Sequence, residues 1–360
     1  MKSLSLVMIV KNESKALYRC LASVLGLVDE IVIVDTGSTD DTIQIAREHN
    51  AKIFYYNWNQ DFAAARNYAL DQSTSEWNLV LDADEFISND CLATIREFIH
   101  SGPAIGRVKV KNQFESQGII NTEISYISRI FPKQCRYTGK VHEQIQSDMK
   151  RVILEVEISH DGYLNKMKSD RNIPILLDCI KEHPQDAYYH YQIAKEYRGL
   201  QQHIQAVTHL RFAYRFIDRR KVFAPQIIIN YLYATIAAGT LEEGVSVIED
   251  NYEYLEGSAD FFFVAALFML ELILSNPGNY SSNLALIEQF YQRALSIGEV
   301  EVEGKVDGTG SYAAHHNLGA YYEATGQHDL AMQQYSFAVE YNYGPSLKRL
   351  ESLREEKFFC

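Results

Sequence analysis

Asn78-Leu79-Val80-Leu81-Asp82-Ala83-Asp84-Glu85 is an apolar run that ends abruptly in carboxylates. In extended backbone, residues two apart share a side, so Asp82 and Asp84 project together past the end of a buried strand. Their like charges repel unless a cation lies between them. A hard divalent ion, Mg²⁺ or Mn²⁺, suits paired carboxylate oxygens and keeps positions open for phosphate. Taken alone, the triplet reads first as a solvated turn; its neighbours decide.

Leu4 to Val10 is a continuous apolar run with β-branched residues, the pattern of a buried strand. Lys11-Asn12-Glu13-Ser14 interrupts it and offers an N-cap for an amphipathic helix reaching about Leu25. Glu30 to Val34 is a second strand, ending in Asp35-Thr36-Gly37-Ser38-Thr39-Asp40. Ser38 or Thr39 is expected to cap the next helix, with Asp40 and Asp41 in its first turn facing the helix dipole. Lys52 to Tyr56 reads as a third strand, Phe62 to Asp71 as a helix and Trp77 to Leu81 as a fourth strand. Strands alternating with short helices predict βαβ units and a mostly parallel, Rossmann-like sheet. Ligands of such sheets sit beyond the carboxyl ends of the strands. Lys11-Asn12-Glu13, Asp35 and Asp82-Ala83-Asp84 all follow strands, so they are expected on one rim.

Together these segments resemble the family-2 glycosyltransferases of the GT-A fold. The carrying residues are Val10-Lys11-Asn12-Glu13, Val34 to Asp40, Asp61-Phe62-Ala63-Ala64-Ala65-Arg66-Asn67 and Leu81 to Glu85, within a resemblance spanning residues 3 to 165. Gly139-Lys140-Val141-His142-Glu143 and Ile158 to Tyr163 are similar to later segments of a subgroup of that family. The resemblance implies a nucleotide-diphosphate sugar donor, UDP-glucose or a relative, and inversion at the anomeric carbon. The donor is expected along Val10, Asn12, Glu13, Asp35, Gly37, Arg66, Asn67, Asp82 and Ala83.

A departing diphosphate gains negative charge, and a chain of net charge −13 needs a cation to host it. Mn²⁺ or Mg²⁺ on Asp84, helped by Asp82, fills that need. Asp35 is placed to accept a hydrogen bond from the nucleobase, or else to shape the turn into the next helix. Gly37 reads as a tight turn or a close backbone approach. The Ala63-Ala64-Ala65 run allows something to come near, and Arg66 either meets the diphosphate or makes a surface salt bridge. Single-displacement inversion needs one base. Glu143 is the candidate, because family members place an acidic residue there; the plainer reading pairs it with Arg129 or Arg136. For a further metal position, His160 after the strand-like Val152 to Ser159 ranks above His142. Phe86, Gln113 and Tyr137 are expected around the donor sugar.

No phosphate-binding P-loop, dinucleotide Gly-x-Gly-x-x-Gly, Cys-x-x-Cys or His-Glu-x-x-His pattern occurs. Gly308-Thr309-Gly310 reads as a loop before a helix.

From about Asn172 the period turns helical. Ile193, Ala194, Tyr197, Ala206, Leu210 and Ala213 keep the small-and-large spacing of a tetratricopeptide helix pair, and Leu318, Gly319, Tyr322, Ala331, Tyr335 and Ala338 repeat it. Tyr231 to Asn251 and Asp260 to Ile297 read as two degenerate pairs, the latter with a loop at Asn276 to Ser282. The expected organisation is an α/β GT-A domain over residues 1–168 and an all-α tetratricopeptide-like solenoid over 169–360, joined in the polar stretch Asn165 to Asn172. A hydrophobic content of 47% over 360 residues supports two buried cores. Phe261 to Leu274 is too short for a bilayer and holds Glu271, so it is expected as a buried helix rather than an integral membrane segment. Five scattered cysteines and the absence of a cleavage-site pattern point to the cytoplasm. Acidity without basic clusters argues against nucleic acid.

The acceptor divides into two readings. Some relatives are similar to enzymes that glucosylate Cys or Ser of bacteriocin peptides, and others to transferases of lipo-oligosaccharide or surface glycan. The helical domain is expected to hold that acceptor or to form a homodimer. A nucleotidyltransferase on a related fold and a non-catalytic scaffold with an inactive transferase domain are the alternatives.

Overall fold

The computed structural model describes residues 2–116, 119–160, 169–300 and 306–358, and side chains among these except at 112–124 and 356–358. The chain divides into two compact units, Met1–Cys179 and Ile180–Cys360. Of the expected junction, residues 165–168 lie outside the described residues, as do Asp161-Gly162-Tyr163 and the side chain of Gln113, whereas Ser169 to Asn172 begin a helix.

In the first unit the order is β1 (Leu4–Val10), α1 (Leu17–Ser23), β2 (Glu30–Asp35), α2 (Thr42–Glu48), β3 (Lys52–Tyr55), α3 (Phe62–Gln72), β4 (Trp77–Val80), β5 (Glu85–Ile87) and α4 (Leu92–Ser101). There follow β6 (Ile105–Ser116), β7 (Ile119–Pro132), β8 (Arg136–Thr138), β9 (Gln144–Gln146) and β10 (Arg151–His160). Among the described residues, an eight-stranded sheet runs β3-β2-β1-β4-β7-β6-β10-β5, with β8 and β9 as a separate pair. The expected parallel sheet occupies β3-β2-β1-β4. Beyond β4 the sheet is mixed: β7 is antiparallel to β4 and β6, β10 is parallel to β6, and β5 closes antiparallel on β10. This α/β unit is followed by a helical region, the order of architectures the sequence implies.

Alternation along β1 and β4 builds a core on each face. Leu4, Leu6, Met8, Leu79 and Leu81 pack with Leu17 and Leu21 of α1 and Phe98 of α4 on one side. Val7, Val34 and Val80 pack with Ala63, Ala69 and Leu70 of α3 on the other. The two faces hold the first strands rigidly, so the loops after them start from fixed points.

Two helix starts differ from expectation. α1 begins only at Leu17, with Ala16 at its N-cap and no side-chain cap. α2 begins at Thr42, leaving Ser38 and Thr39 outside; Asp41 holds the N-cap position, and the Asp40 carboxylate accepts the Thr42 amide at 3.1 Å. Ser38 and Thr39 are drawn away by the Asn12 loop, to which both are hydrogen bonded.

The helices continue as α5 (Ser169–Glu182), α6 (Ala187–Gly199), α7 (His203–Arg215), α8 (Ala224–Ala238), α9 (Gly244–Asn251), α10 (Ala259–Ser275), α11 (Pro277–Tyr280), α12 (Leu284–Ile297), α13 (Tyr312–Ala324), α14 (His328–Glu340) and α15 (Gly344–Phe358). From α6 on, successive long helices pack on one another, α6 on α7, α7 on α8, α8 on α10, α10 on α12 and so to α15. Ala194, Ala206, Leu210, Ala213, Leu318, Ala331, Tyr335 and Ala338 are buried, as close helix pairing requires. Tyr197 is half-buried and stacks on His209. The second pair starts earlier than expected, at Ala224, where Pro225 suits the first turn. The expected loop at Asn276 to Ser282 is instead a helical turn, capped by the Asn276 side chain on the Asn279 amide. α10 carries the longest apolar run buried inside its unit; among the described residues no helix is long and apolar enough to cross a membrane.

Candidate active site

β2, β1 and β4 are parallel neighbours, so their carboxyl ends share one edge. Asn12 leaves β1 with φ 56°, a left-handed turn that asparagine tolerates. Its amide N–H donates to Ser38 Oγ at 3.0 Å and its Oδ1 accepts the Thr39 N–H at 2.8 Å. The Glu13 N–H donates to Thr42 Oγ1 at 2.8 Å. The loops after β1 and β2 are thereby tied into one rim. Asp35, buried at the end of β2, accepts the backbone N–H groups of Ser38 and Gly37 at 3.0 and 3.3 Å. Gly37 takes φ 110° with open space where a side chain would stand, so the turn, rather than a protein neighbour, requires glycine. Val10 passes its carbonyl to the Thr36 N–H at 2.9 Å.

Arg66 is the centre of the next layer. It projects from α3, whose start is fixed by Asp61 accepting the Ala64 N–H at 2.8 Å. Arg66 Nε donates to Glu143 Oε1 at 2.5 Å and Nη2 to Asp82 Oδ1 at 2.6 Å, above the Tyr137 ring. Burial works against the guanidinium's charge, but Asp82 and Glu143 outweigh it and hold Arg66 well above its ordinary value. Arg66 is therefore a buried bridge rather than a surface pair, and Glu143 is held by Arg66 rather than by Arg129 or Arg136. Asn67 spends its amide on the Tyr137 backbone, accepting and donating at 2.8 and 2.9 Å, which anchors β8 beside the rim. The small Ala63 and Ala65 are covered by the domain's own sheet and β8. Burial pushes the Tyr137 hydroxyl up to about 12, against the pull of Arg66 and Arg129.

Arg129 of β7 was not singled out from the sequence as part of the site. Its Nη2 bonds Glu85 Oε1 and lies 3.4 Å from Asp82 Oδ2. Glu85 also accepts the Asp82 N–H at 2.9 Å, and the Glu85 N–H returns to the Asp82 carbonyl at 3.0 Å. Burial pushes the Glu85 carboxyl up, with Arg129 opposing. The clue in the sequence was the alternation around Arg107-Val108-Lys109-Val110-Lys111, which marks the β6–β7 ladder that delivers Arg129.

Asp84 has a different partner. Its Oδ2 lies 3.3 Å from His160 Nε2, beside the Glu85–His160 pair of β5 and β10. Asp84 is 15% exposed and Asp82 40%. Below both, the Cys20 thiol contacts the Asp82 carbonyl at 3.6 Å; burial raises it first, then the fields of Glu85, Asp82 and Asp84. His142 sits beside Glu143 with φ 53°. Among the described residues, no three His, Cys, Asp or Glu side chains form a ready-made metal cage. The donors that suit a divalent ion are the Asp84 oxygen and the His160 nitrogen, with Asp82 oxygens already shared by two guanidinium groups.

Residues 5–154 match the family described as Glycosyl transferase family 2. A TPR repeat-containing protein of Synechococcus elongatus is 31% identical over 204 residues, 52% of this chain and 50% of its own length. The SPbeta prophage-derived glycosyltransferase SunS of Bacillus subtilis is 27% identical over 263 residues, covering 65% and 61%. The chain thus spans half to three-fifths of these curated relatives. Among solved structures, S. aureus TarS 1-349 aligns over 71% of this chain and 92% of its own, at 15% identity and a TM-score of 0.39.

Proposed function

We propose, from the family-2 glycosyltransferase domain that residues 5–154 carry, that this protein moves a hexose from a UDP-sugar to a peptide or glycan with inversion and with a divalent ion. The observation that carries the proposal is the Arg66 bridge between Asp82, in the loop expected to meet the diphosphate, and Glu143, the expected base.

Asp35 and the Asn12 loop border the place for the nucleoside, while Gly37 keeps the turn beside it free of side-chain bulk. Asp84 and His160 would hold Mn²⁺ or Mg²⁺, with His142 as the second-ranked histidine. Asp82 would act from beside them through its guanidinium contacts. When bound, the ion supplies positive charge to the departing diphosphate. Glu143 has Oε1 engaged by Arg66, so Oε2 is the oxygen to take the acceptor's proton as it attacks. A tetratricopeptide-like helical region suits an extended or helical peptide, which favours the peptide acceptor over the glycan.

The test is nucleotide release from UDP-glucose and related UDP-sugars with Mn²⁺, for the full chain and for Asp84→Ala. Release or binding that needs the ion and vanishes in Asp84→Ala is the expected result. A full chain that neither binds nor cleaves any UDP-sugar sinks the reading.

A further inference from the structure

We infer that the buried Arg129–Glu85 pair is a positioning device that shapes the Asp82–Asp84 loop for metal and diphosphate; the inference rests on the donor-site reading of that loop. Glu85 is 2% exposed and Arg129 8%, so neither meets a sugar nucleotide in the open rim. Their contacts nonetheless determine where both aspartates point. Glu85 accepts the Asp82 N–H through Oε2 and returns its own N–H to the Asp82 carbonyl, closing a reciprocal turn. Its Oε1 is pinned by Arg129 Nη2, which also lies 3.4 Å from Asp82 Oδ2.

Asp82 is thus drawn toward Arg129 and Arg66. Asp84 is left facing His160, whose strand is paired with Glu85 itself. Three carboxylates within four residues would spread apart in solvent; the guanidinium from β7 gathers two of them, Glu85 and Asp82. A stability role alone does not call for charge here, since well-packed apolar side chains replace buried ion pairs at little or no loss. What apolar replacements cannot do is hold two aspartates of one turn on different partners. Supporting groups of this kind, one step removed from the ligands, hold metal affinity without touching the metal.

The experiment compares the full chain with Arg129→Met, Glu85→Gln and the double variant. Three quantities are read: the thermal midpoint, the Asp84–His160 distance by crystallography, and the dissociation constant of UDP with Mn²⁺ by calorimetry. Each single variant lowers the midpoint, because one buried charge loses its partner. The double variant regains the midpoint, since no charge is left alone. It still separates Asp84 from His160 and weakens Mn²⁺-dependent UDP binding by about tenfold or more. A double variant that keeps the Asp84–His160 contact and the parental affinity overturns the inference. Should the unsubstituted chain fail to bind UDP with Mn²⁺, the donor-site reading fails, and the Asp84–His160 distance still decides the positioning.

Discussion

Arg66 Nε donates to Glu143 Oε1 at 2.5 Å, joining α3 to a loop 77 residues further along the chain. The same guanidinium reaches Asp82, so the expected base and the expected diphosphate loop are held by one side chain. Loss of that guanidinium therefore acts on both carboxylates at once.

Glu143→Gln separates chemistry from binding. The amide keeps the shape and can still accept from Arg66, but it cannot take a proton. Turnover is expected to fall about 10²- to 10⁴-fold, with UDP affinity nearly unchanged. Steady-state rates beside calorimetric titration of UDP check this. An equal loss in both would make Glu143 a binding group.

Arg66→Met strips the buried cation from the enclosed Glu143 and from the more exposed Asp82. Removing one partner of a buried ion network costs about 3–5 kcal/mol. Urea denaturation of the Met and Lys variants gives the comparison. Lys restores charge but cannot reach Asp82 and Glu143 in the forked geometry of guanidinium, so it recovers only part of the loss.

Acid should loosen the first helix pair of the second unit. His190 Nε2 lies 3.1 Å from the Pro184 carbonyl and so carries its proton there; His190 Nδ1 then accepts from His209 Nδ1 at 3.0 Å. Burial first, and the facing His190 second, lower His209 from 6.5 to about 4. A folded value below the unfolded one means the contribution is complete above pH 6.5 and is lost as pH falls toward 4. Denaturation midpoints of the parent and of His209→Asn between pH 7.5 and pH 4 should converge on the acid side, by about the loss the parent alone suffers. Parallel curves would remove His209 as the cause.

Gly319→Ala tests the close approach of α13 and α14. A methyl group there would stand 2.8 Å from the Tyr335 ring, which is itself fixed by its hydroxyl donating to Glu323 at 2.9 Å. Overpacking of this kind costs about 1–3 kcal/mol. A lower melting temperature with unchanged UDP binding is expected, read by circular dichroism and calorimetry.

The first four strands were legible because apolar β-branched runs and the loops between them are local signals. Val10 and Asp35 end their strands, and Asp82 follows two residues after the end of β4. The alanine spacing of the helical region was legible for the same reason. Helix starts were not, because Ser38 and Thr39 answer to Asn12, a residue of another loop. Nor was the partner of Glu143. Arg66, Arg129 and Arg136 have the same chemistry in a sequence, and only the register of β7 and the seat of α3 separate them. Glu85 reads in the sequence as the tail of a motif, while among the described residues its strand pairs only with β10, far along the chain.

β10 lies between β6 and β5, and it alone connects β5 to the rest of the sheet. A chain emerging from the ribosome therefore carries Asp84 well before its partner His160 has been made. The short strand that begins at Glu85 stays unpaired until the last strand of the sheet arrives with His160. Such distant closures come late in folding. Asp84 and His160 thus meet only once that last strand has docked.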